Sequence, residues 1–260
     1  MNNTENSNII VIKVGTSTLT YEGGGINIRR VEKLVKVLSD IKNSGKSIIL
    51  VSSGAIGIGM GKLGITKRPA CTRDKQALAA IGQCELMNYY SRLFGEYNHN
   101  VAQILLTKDV VSDPVRNENA VATLDKLLSL GIVPIVNEND TISTEQIEFG
   151  DNDTLSATVA CLAKANLLVI LSDIDGLYDS DPRENPDAKL ISQIDKIDSN
   201  VEALAGGAGT SRGTGGMITK IHAAQAATKA GIDMIIANGA NPEILYDITE
   251  GKQVGTLFKA

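Results

Sequence analysis

Residues 43–54 read NSGKSIILVSSG, and this stretch carries a pattern that runs through the whole chain. A glycine ends a polar segment, an apolar run follows at residues 48–51, and small polar residues end the run. An apolar run of this length between turn residues predicts a strand that is buried on both faces of a sheet. The pattern recurs in NIIVIKVGTS (8–17), LGIVPIVNEND (130–140), ANLLVILSD (165–173) and AGIDMIIANG (230–239).

Amphipathic helices are predicted between these runs. In the clearest of them, five apolar residues fall on one helix face by their spacing of three and four: Val31, Leu34, Val35, Leu38 and Ile41. Strands that alternate with such helices predict the α/β class, as a three-layer α/β/α sandwich around a central, largely parallel sheet. Because no Pro-rich or Gly/Ser-rich linker divides the chain, we expect a single domain over residues 1–260.

The composition limits the classes of protein. With 260 residues, of which 43% are hydrophobic, the chain can bury a sizeable core. No apolar run reaches the roughly 20 residues that span a bilayer, and the polar start MNNTENSN lacks the features of a secretory signal. The net charge of −5 is dispersed, without the basic clustering of a nucleic-acid-binding surface. We therefore expect a cytoplasmic protein that binds neither membrane nor nucleic acid.

Cysteine and histidine do not point to a site. Cys71, Cys84 and Cys161 are odd in number and far apart, so we expect buried, reduced thiols without a disulfide framework or a metal site. His99 and His222 lie in no catalytic or zinc-binding motif. The sequence therefore favours neither a Ser-His-Asp triad nor a zinc enzyme.

Three familiar ligand-binding patterns fail on inspection. Gly45-Lys46-Ser47 lacks the earlier glycine of a Walker A loop, because position 40 is Asp40, and it precedes a strand where that loop precedes a helix. Residues 59–64, GMGKLG, match G-x-G-x-x-G but start several residues after the strand end. Residues 173–176, DIDG, place glycine too early for a calcium loop. We expect none of the three to bind a ligand in its familiar way.

The polar ends of the predicted strands favour an active site. In open α/β sheets, ligands bind beyond the carboxyl ends of the strands. A lysine, glycines and carboxylates lie at these ends, in segments 13–17, 52–54, 137–140 and 172–173. Their convergence at one edge of the sheet predicts a binding site there.

Each candidate residue at these strand ends has a structural explanation beside the ligand-binding one. Lys13, beside a glycine-containing turn, suits a polyphosphate, or it caps a strand end. Ser53 and Gly54 permit close approach of a carboxylate or phosphate to a helix N-terminus, or they form a tight turn. Among residues 151–153, one is expected as an N-cap, which leaves Asn152 to donate to a substrate carboxylate and an aspartate to bind an ammonium group or hold lysines.

The glycine-rich segment 206–216 ends in GTGGMITK (213–220) and leads into a predicted helix. Exposed N–H groups at a helix start favour anions by about 0.3–1 kcal/mol. Lys220 lies one turn inside, on the side that reaches back toward the helix N-terminus. The alternative is a mobile surface loop that ends in an ordinary solvated lysine.

Several motifs together resemble a known family. VIKVGTS (11–17), SSGAIG (52–57), DIDGLYDSDPR (173–183) and GTGGMITK are similar to motifs of the amino acid kinase superfamily. Others resemble the glutamate 5-kinase family within it: QALAAIGQ (76–83), AQILLT (102–107), IVPIVNENDTIS (132–143) and FGDNDTLSA (149–157). The resemblance runs from about residue 8 to residue 258, without the C-terminal PUA domain that many bacterial members carry.

The resemblance implies ATP-dependent phosphorylation of the γ-carboxylate of L-glutamate, the first step of proline biosynthesis. It also implies Mg²⁺ held mainly by the ATP phosphates, L-proline as a feedback inhibitor, and a homodimer or homotetramer. A γ-carboxylate with a reference pKa of about 4.3 is already ionised at neutral pH, so phosphoryl transfer needs positioning and charge neutralisation but no general base.

The resemblance also assigns roles to residues. It makes Lys13 and Lys220 the catalytic groups that contact the phosphates, with Asp153 orienting both. The implied substrate-binding residues are Ser53, Gly54, Asn137, Asp140, Asp151 and Asn152, with Asp140 for the substrate ammonium. The implied ATP-binding residues are Lys13, Ser172, Asp173, Thr214, Gly215, Gly216, Met217, Ile218, Thr219 and Lys220. No residue is implied as a metal ligand.

Two alternatives stay open at this point. One is another amino acid kinase, such as an acetylglutamate, aspartate or uridylate kinase, although a uridylate kinase would carry basic groups where this chain has NEND (137–140) and GDND (150–153). The other is a non-catalytic nucleotide or amino-acid sensor on the same fold. The presence of Lys13, Asp153 and Lys220 argues against a sensor, because it need not retain a phosphoryl-transfer set.

Overall fold

The computed structural model of the chain describes residues 8–21, 24–143, 152–205 and 216–260. Eight strands form one sheet in the order β3-β4-β2-β1-β5-β7-β8-β6. Their bounds are β1 Ile9–Val14, β2 Ser47–Ser52, β3 Val101–Leu106, β4 Val133–Glu138, β5 Leu167–Ser172, β6 Gln193–Ile194, β7 Asp233–Asn238 and β8 Thr256–Phe258. All neighbouring pairs are parallel except β7 and β8, so the prediction of a largely parallel sheet is confirmed.

Helices connect the strands and cover the sheet. Within the described residues they are α1 Thr16–Leu19, α2 Ile28–Asn43, α3 Ala55–Leu63, α4 Thr72–Gly95, α5 Pro114–Ser129, α6 Asn152–Leu162, α7 Ser199–Ala205, α8 Met217–Lys229 and α9 Ile244–Thr249. A short 3₁₀ helix at Lys108–Val110 precedes α5. None of these helices is long and apolar enough to cross a membrane.

The two faces of the sheet pack against separate apolar clusters. In β1, Ile10 and Ile12 pack on the side of α2, α4 and α9, whereas Val11 packs on the side of α5, α6, α7 and α8. This alternation follows from the two-residue period of a strand. The predicted apolar face of α2, from Val31 to Ile41, is buried in the first cluster. The predicted three-layer sandwich is therefore confirmed.

Glycines let α3 and α4 pack in direct backbone contact. A methyl group added to Gly82 of α4 would lie 1.8 Å from the carbonyl oxygen of Ala55, and one on Gly59 would lie 2.1 Å from that of Leu78. Gly59 belongs to the GMGKLG pattern, which lies in α3 and its C-terminal cap, so this pattern packs helices. The contact sets α4 close to the start of α3, and therefore close to the carboxyl end of β2.

The cysteines depart from expectation in one respect. All three are free, as predicted, but Cys71 and Cys84 are exposed and Cys161 is half-buried. Cys84 is exposed because the buried face of α4 is formed by neighbours such as Gly82, Gln83 and Leu86, and the helical period turns position 84 outward. The prediction of buried thiols is therefore wrong for Cys71 and Cys84.

Candidate active site

Two buried lysines meet one aspartate at the carboxyl end of the sheet. Lys13 lies two residues after Val11 in β1 and therefore faces the side on which α6 and α8 pack. Its Nζ lies 2.7 Å from Oδ1 of Asp153, the second residue of α6. Lys220, in the first turn of α8, places its Nζ 3.0 Å from Oδ2 of the same carboxylate. We call these three residues the lysine cluster.

The lysine cluster is shielded from water. Asp153 exposes 1% of its surface, Lys13 9% and Lys220 7%. Burial acts to raise the pKa of the Asp153 carboxyl, but the charges of Lys13 and Lys220 outweigh it and hold that pKa well below its usual range. Two ammonium groups and one ionised carboxylate leave one net positive charge at a site where charge interactions are strong. The cluster is therefore suited to an anion.

The start of α8 is tied to the same carboxylate. The hydroxyl of Thr219 lies 2.9 Å from Oδ2 of Asp153 and 2.8 Å from the carbonyl oxygen of Gly216, so its single proton serves these two acceptors. Ile218, in contrast, is 36% exposed. Thr214 and Gly215, which the sequence also assigned to ATP, lie outside the described residues, and so does Asp151.

A second group of polar side chains lies beside the lysine cluster. One amide nitrogen, Nδ2 of Asn152, donates to Oγ of Ser53 at 2.7 Å and to Oδ1 of Asn137 at 3.0 Å. Asn137 lies in β4, Ser53 follows β2, and Asn152 is the first residue of α6. We call these three residues the amide cluster. Gly54 adjoins it in the left-handed conformation, with φ +102°, and forms the N-cap of α3.

The first turn of α6 joins the two clusters. Asn152 belongs to the amide cluster and Asp153, the next residue, to the lysine cluster. The side chains of consecutive helix residues point about 100° apart, so a single turn can place one residue in each cluster. The sequence predicted an N-cap among residues 151–153, and the observed helix already includes Asn152 and Asp153.

Asp140 lies just after β4, the strand that carries Asn137 of the amide cluster. It lines a cavity of ≈ 390 Å³ together with Glu138 and residues of α4. Burial raises the pKa of the Asp140 carboxyl to about 6, although the charge of Arg68 opposes this shift. A half-buried carboxylate of this kind is suited to an organic ammonium group, which would favour its ionised form.

The raised pKa of Asp140 predicts a pH dependence. If the ionised carboxylate binds the substrate ammonium, kcat/KM for an amino-acid substrate should fall roughly tenfold per pH unit below about pH 6. The carboxylates of an amino acid stay ionised over this range, since their reference pKa values are about 4.3 or lower. The measurement is kcat/KM between pH 5 and 8 at saturating ATP.

Asp140→Asn is the control for this prediction. Its kcat/KM should be lower, by about 2 kcal/mol or more in transition-state stabilisation, and should lose the component of the profile with a pKa near 6. Because nucleotide ionisation affects both proteins alike, only the difference between the two profiles counts. Identical profile shapes for the two proteins would contradict the assignment.

A second cavity, of ≈ 380 Å³, is lined by Lys220 of the lysine cluster and by no residue of the amide cluster. Five residues predicted to bind ATP line it, namely Ser172, Asp173, Gly216, Met217 and Lys220. Its wall also contains residues to which the sequence gave no role in ATP binding, among them Asp175, Tyr178, Arg183 and Asn238. Asn238 ends β7 and could have been found by the same strand-end argument as Ser172.

Asp175 is held in place within this cavity. It accepts a hydrogen bond from the Tyr178 hydroxyl at 3.0 Å and one from Nδ2 of Asn238 at 2.7 Å. Across the described residues, no three His, Cys, Asp or Glu side chains converge in a way that could hold a metal ion. The cavity thus combines an apolar wall with fixed polar groups, as small-molecule sites commonly do.

Comparison with known proteins identifies the family of the chain. The model of the amino acid kinase family matches residues 8–238. Glutamate 5-kinase of Clostridium perfringens is 57% identical over 260 residues, which cover 98% of this chain and 97% of the relative. Glutamate 5-kinase of a Listeria monocytogenes strain is 55% identical over 258 residues, which cover 98% and 94%.

Solved structures of lower identity share the fold. UMP kinase of Bacillus anthracis superposes with a TM-score of 0.66 at 16% identity, over 97% of this chain and 96% of that structure. Isopentenyl phosphate kinase of T. acidophilum superposes with a TM-score of 0.63 at 20% identity, over 96% and 100%. The chain belongs to the glutamate 5-kinase branch of the amino acid kinase family.

Proposed function

We propose that this chain transfers the γ-phosphoryl group of ATP to the γ-carboxylate of L-glutamate, giving L-glutamyl 5-phosphate and ADP in the first step of proline biosynthesis. The observation that carries the proposal is the first turn of α6, where Asn152 and Asp153 join the amide cluster to the lysine cluster. A kinase must hold acceptor and phosphoryl donor side by side. The names of the relatives support glutamate as the acceptor.

The proposed reaction needs no proton transfer by the protein. One oxygen of the ionised γ-carboxylate attacks the γ-phosphorus, and the bond from this phosphorus to the bridging oxygen breaks, so that ADP leaves with the electron pair. Lys13 and Lys220 neutralise the charge on the transferring group. Asp153 holds the two ammonium groups near each other, which their mutual repulsion would otherwise oppose.

The acceptor and the nucleotide are assigned to opposite sides of the lysine cluster. Glutamate binds at the amide cluster, with Asp140 receiving its ammonium group and with Gly54 opening the N-terminus of α3 to a carboxylate. Asp151 is proposed to lie near it. ATP binds in the cavity of ≈ 380 Å³ lined by Ser172, Asp173 and the start of α8. Thr214 and Gly215 are proposed as further ATP-binding residues because the family resemblance implies them.

Mg²⁺ completes the proposal as an ion carried by the nucleotide. It prefers oxygen ligands and is bound in many kinases largely through substrate phosphates. When bound, it neutralises phosphate charge during transfer. In this proposal the protein supplies lysines to the phosphates and no residue is assigned as a metal ligand.

The function is tested by ADP release with purified protein, ATP and Mg²⁺. We expect turnover with L-glutamate and none above background with aspartate, N-acetylglutamate or UMP. The acyl phosphate should be trapped by hydroxylamine as the γ-glutamyl hydroxamate. Turnover with another acceptor but not with glutamate would contradict the substrate, and ligand binding without any turnover would favour a sensor.

Regulation and assembly are further parts of the proposal. L-Proline carries an ammonium and a carboxylate like glutamate, so we propose that it competes at Asp140 and the amide cluster.

We also propose a single kinase domain, because β1 and β8, from opposite ends of the described chain, belong to one sheet. The family resemblance leads us to propose that the chain forms a homodimer or a homotetramer. Light scattering measures this oligomeric state.

A further inference from the structure

Gln83 connects α4 to the amide cluster. It is 7% exposed and follows Gly82, whose close contact with Ala55 holds α4 against the start of α3. Its Oε1 accepts a hydrogen bond of 2.9 Å from Nδ2 of Asn137. Its Nε2 has no hydrogen-bond partner among the described residues. Gln83 therefore contributes an acceptor, and not a donor, to its surroundings.

A single backbone N–H fixes the direction of every bond in this group. The N–H of Glu138 donates to Oδ1 of Asn137 at 2.9 Å, and a backbone N–H can only donate. Oδ1 of Asn137 must therefore face Glu138, so its Nδ2 must face Gln83, which has to present an oxygen. Asn152, next to the same Oδ1, must in turn present its Nδ2.

The consequence reaches Ser53. Because Nδ2 of Asn152 donates to Oγ of Ser53, that oxygen acts as an acceptor toward the protein. The hydroxyl proton of Ser53 then remains for another acceptor. If Asn152 turned its oxygen toward Ser53 instead, the hydroxyl would donate to Asn152 and would be lost to a ligand.

We infer that Gln83 is a positioning residue for glutamate, acting through Asn137 and Asn152 to keep the Ser53 hydroxyl as a donor to a substrate carboxylate. The inference rests on the proposed function. Gln83 and Asn152 lie in helices on opposite faces of the sheet, and Asn137 bridges them at the carboxyl end of β4. Without the oxygen of Gln83, a buried N–H of Asn137 is left unpaired, which is unfavourable and favours rearrangement of the amides.

Gln83→Met tests the inference, because methionine has a similar length but no comparable acceptor. We expect KM for glutamate to rise roughly tenfold, as a loss of about 1.4 kcal/mol implies, while KM for ATP stays within about twofold. Gln253→Met is the matched control, since Gln253 is exposed and lines neither of the two cavities described above. This control should keep both KM values.

A double-mutant cycle separates positioning from general packing. In an Asn137→Ala background, Gln83→Met should change KM for glutamate less than about twofold, because residues that act in one network are not additive. Gln83→Ala replaces the methionine variant if the latter does not fold. Additive effects, or equal rises in both KM values together with a lower Tm, would assign Gln83 a merely structural role and overturn the inference.

The failure of the inference differs from that of the proposed function. A wild-type protein that turns over glutamate, beside a Gln83→Met variant with unchanged KM for glutamate, contradicts the inference alone. A wild-type protein without glutamate-dependent ADP release contradicts the proposed function, and the inference with it.

Discussion

Asp153→Asn should both destabilise the protein and abolish most of its activity. The change leaves two buried ammonium groups, those of Lys13 and Lys220, without the carboxylate that lies 2.7 and 3.0 Å from them. Removing one partner of a buried ion pair costs about 3–5 kcal/mol. Loss of the fixed lysine geometry should also lower kcat by roughly 10³-fold. Urea unfolding and ADP release measure the two effects.

The same substitution should change the response to anions. In the variant, a polyphosphate would replace the missing negative charge, so ATP should raise Tm by more than it does in the wild type. Asp247→Asn is the matched control, because Asp247 pairs with Lys252 at an exposed position and such pairs contribute only about 0–1 kcal/mol. An Asp153→Asn variant with wild-type kcat and a free energy of unfolding within about 1 kcal/mol of wild type would contradict the role of Asp153.

Acid should act on this ion pair in a defined direction. The pKa of Asp153 is lowered in the folded protein, so its contribution to stability is present above the reference value of about 3.9 and is lost as pH falls below it. Asp140 acts in the opposite sense, because its raised pKa favours the folded state as pH falls through about 6. The loss of stability at acid pH therefore includes Asp153, together with other carboxyls whose pKa is lowered in the folded protein, such as Asp181 and Asp198, but not Asp140.

The sequence predicted the central strands well because they are buried on both faces. Such strands read as continuous apolar runs, and the runs of β1, β2, β4, β5 and β7 are unmistakable. The strands toward the edges were not predicted as such. The edge strand β3 is half exposed, with Gln103 facing solvent, and β6 and β8 span only two and three residues. Short or exposed strands lack the signal that periodicity detects.

For the candidate site, the sequence predicted the sheet edge but not the partners across it. Strand ends place Lys13, Ser53, Asn137 and Ser172 at one edge without any knowledge of contacts. The pairing of Lys13 with Asp153 joins residues 140 positions apart, and only the packing of α6 against β1 brings them together. The spacing of residues along the chain carries no information on such a contact. The pairing was predicted only from the family resemblance, which assigns Asp153 to orient both lysines. Gln83 ends the QALAAIGQ motif (76–83), but that motif gives no hint that its side chain bonds to Asn137.

Lys220→Ala should lower kcat far more than it weakens glutamate binding. The ammonium group of Lys220 is 3.0 Å from Asp153, and Lys220 lines the proposed nucleotide cavity, whereas the amide cluster proposed to bind glutamate does not line it. A group that stabilises charge on the transferring phosphoryl acts in the transition state, so its loss should cost roughly 10²–10³-fold in kcat. KM for glutamate should stay within about threefold, because ground-state binding of the acceptor is kept. Initial rates with glutamate varied at saturating ATP give both constants.

Lys229→Ala provides the matched control for this prediction. Lys229 ends the same helix and is exposed, so its loss removes one positive charge without touching either cluster. If bulk charge attracted ATP, both variants would lose activity together and salt would suppress the difference. If Lys220 acts on the transferring phosphoryl, only Lys220→Ala loses kcat, and the loss persists at high salt because the cluster is buried. An unchanged kcat in Lys220→Ala would remove this residue from the mechanism and leave Lys13 as the sole catalytic cation of the described site.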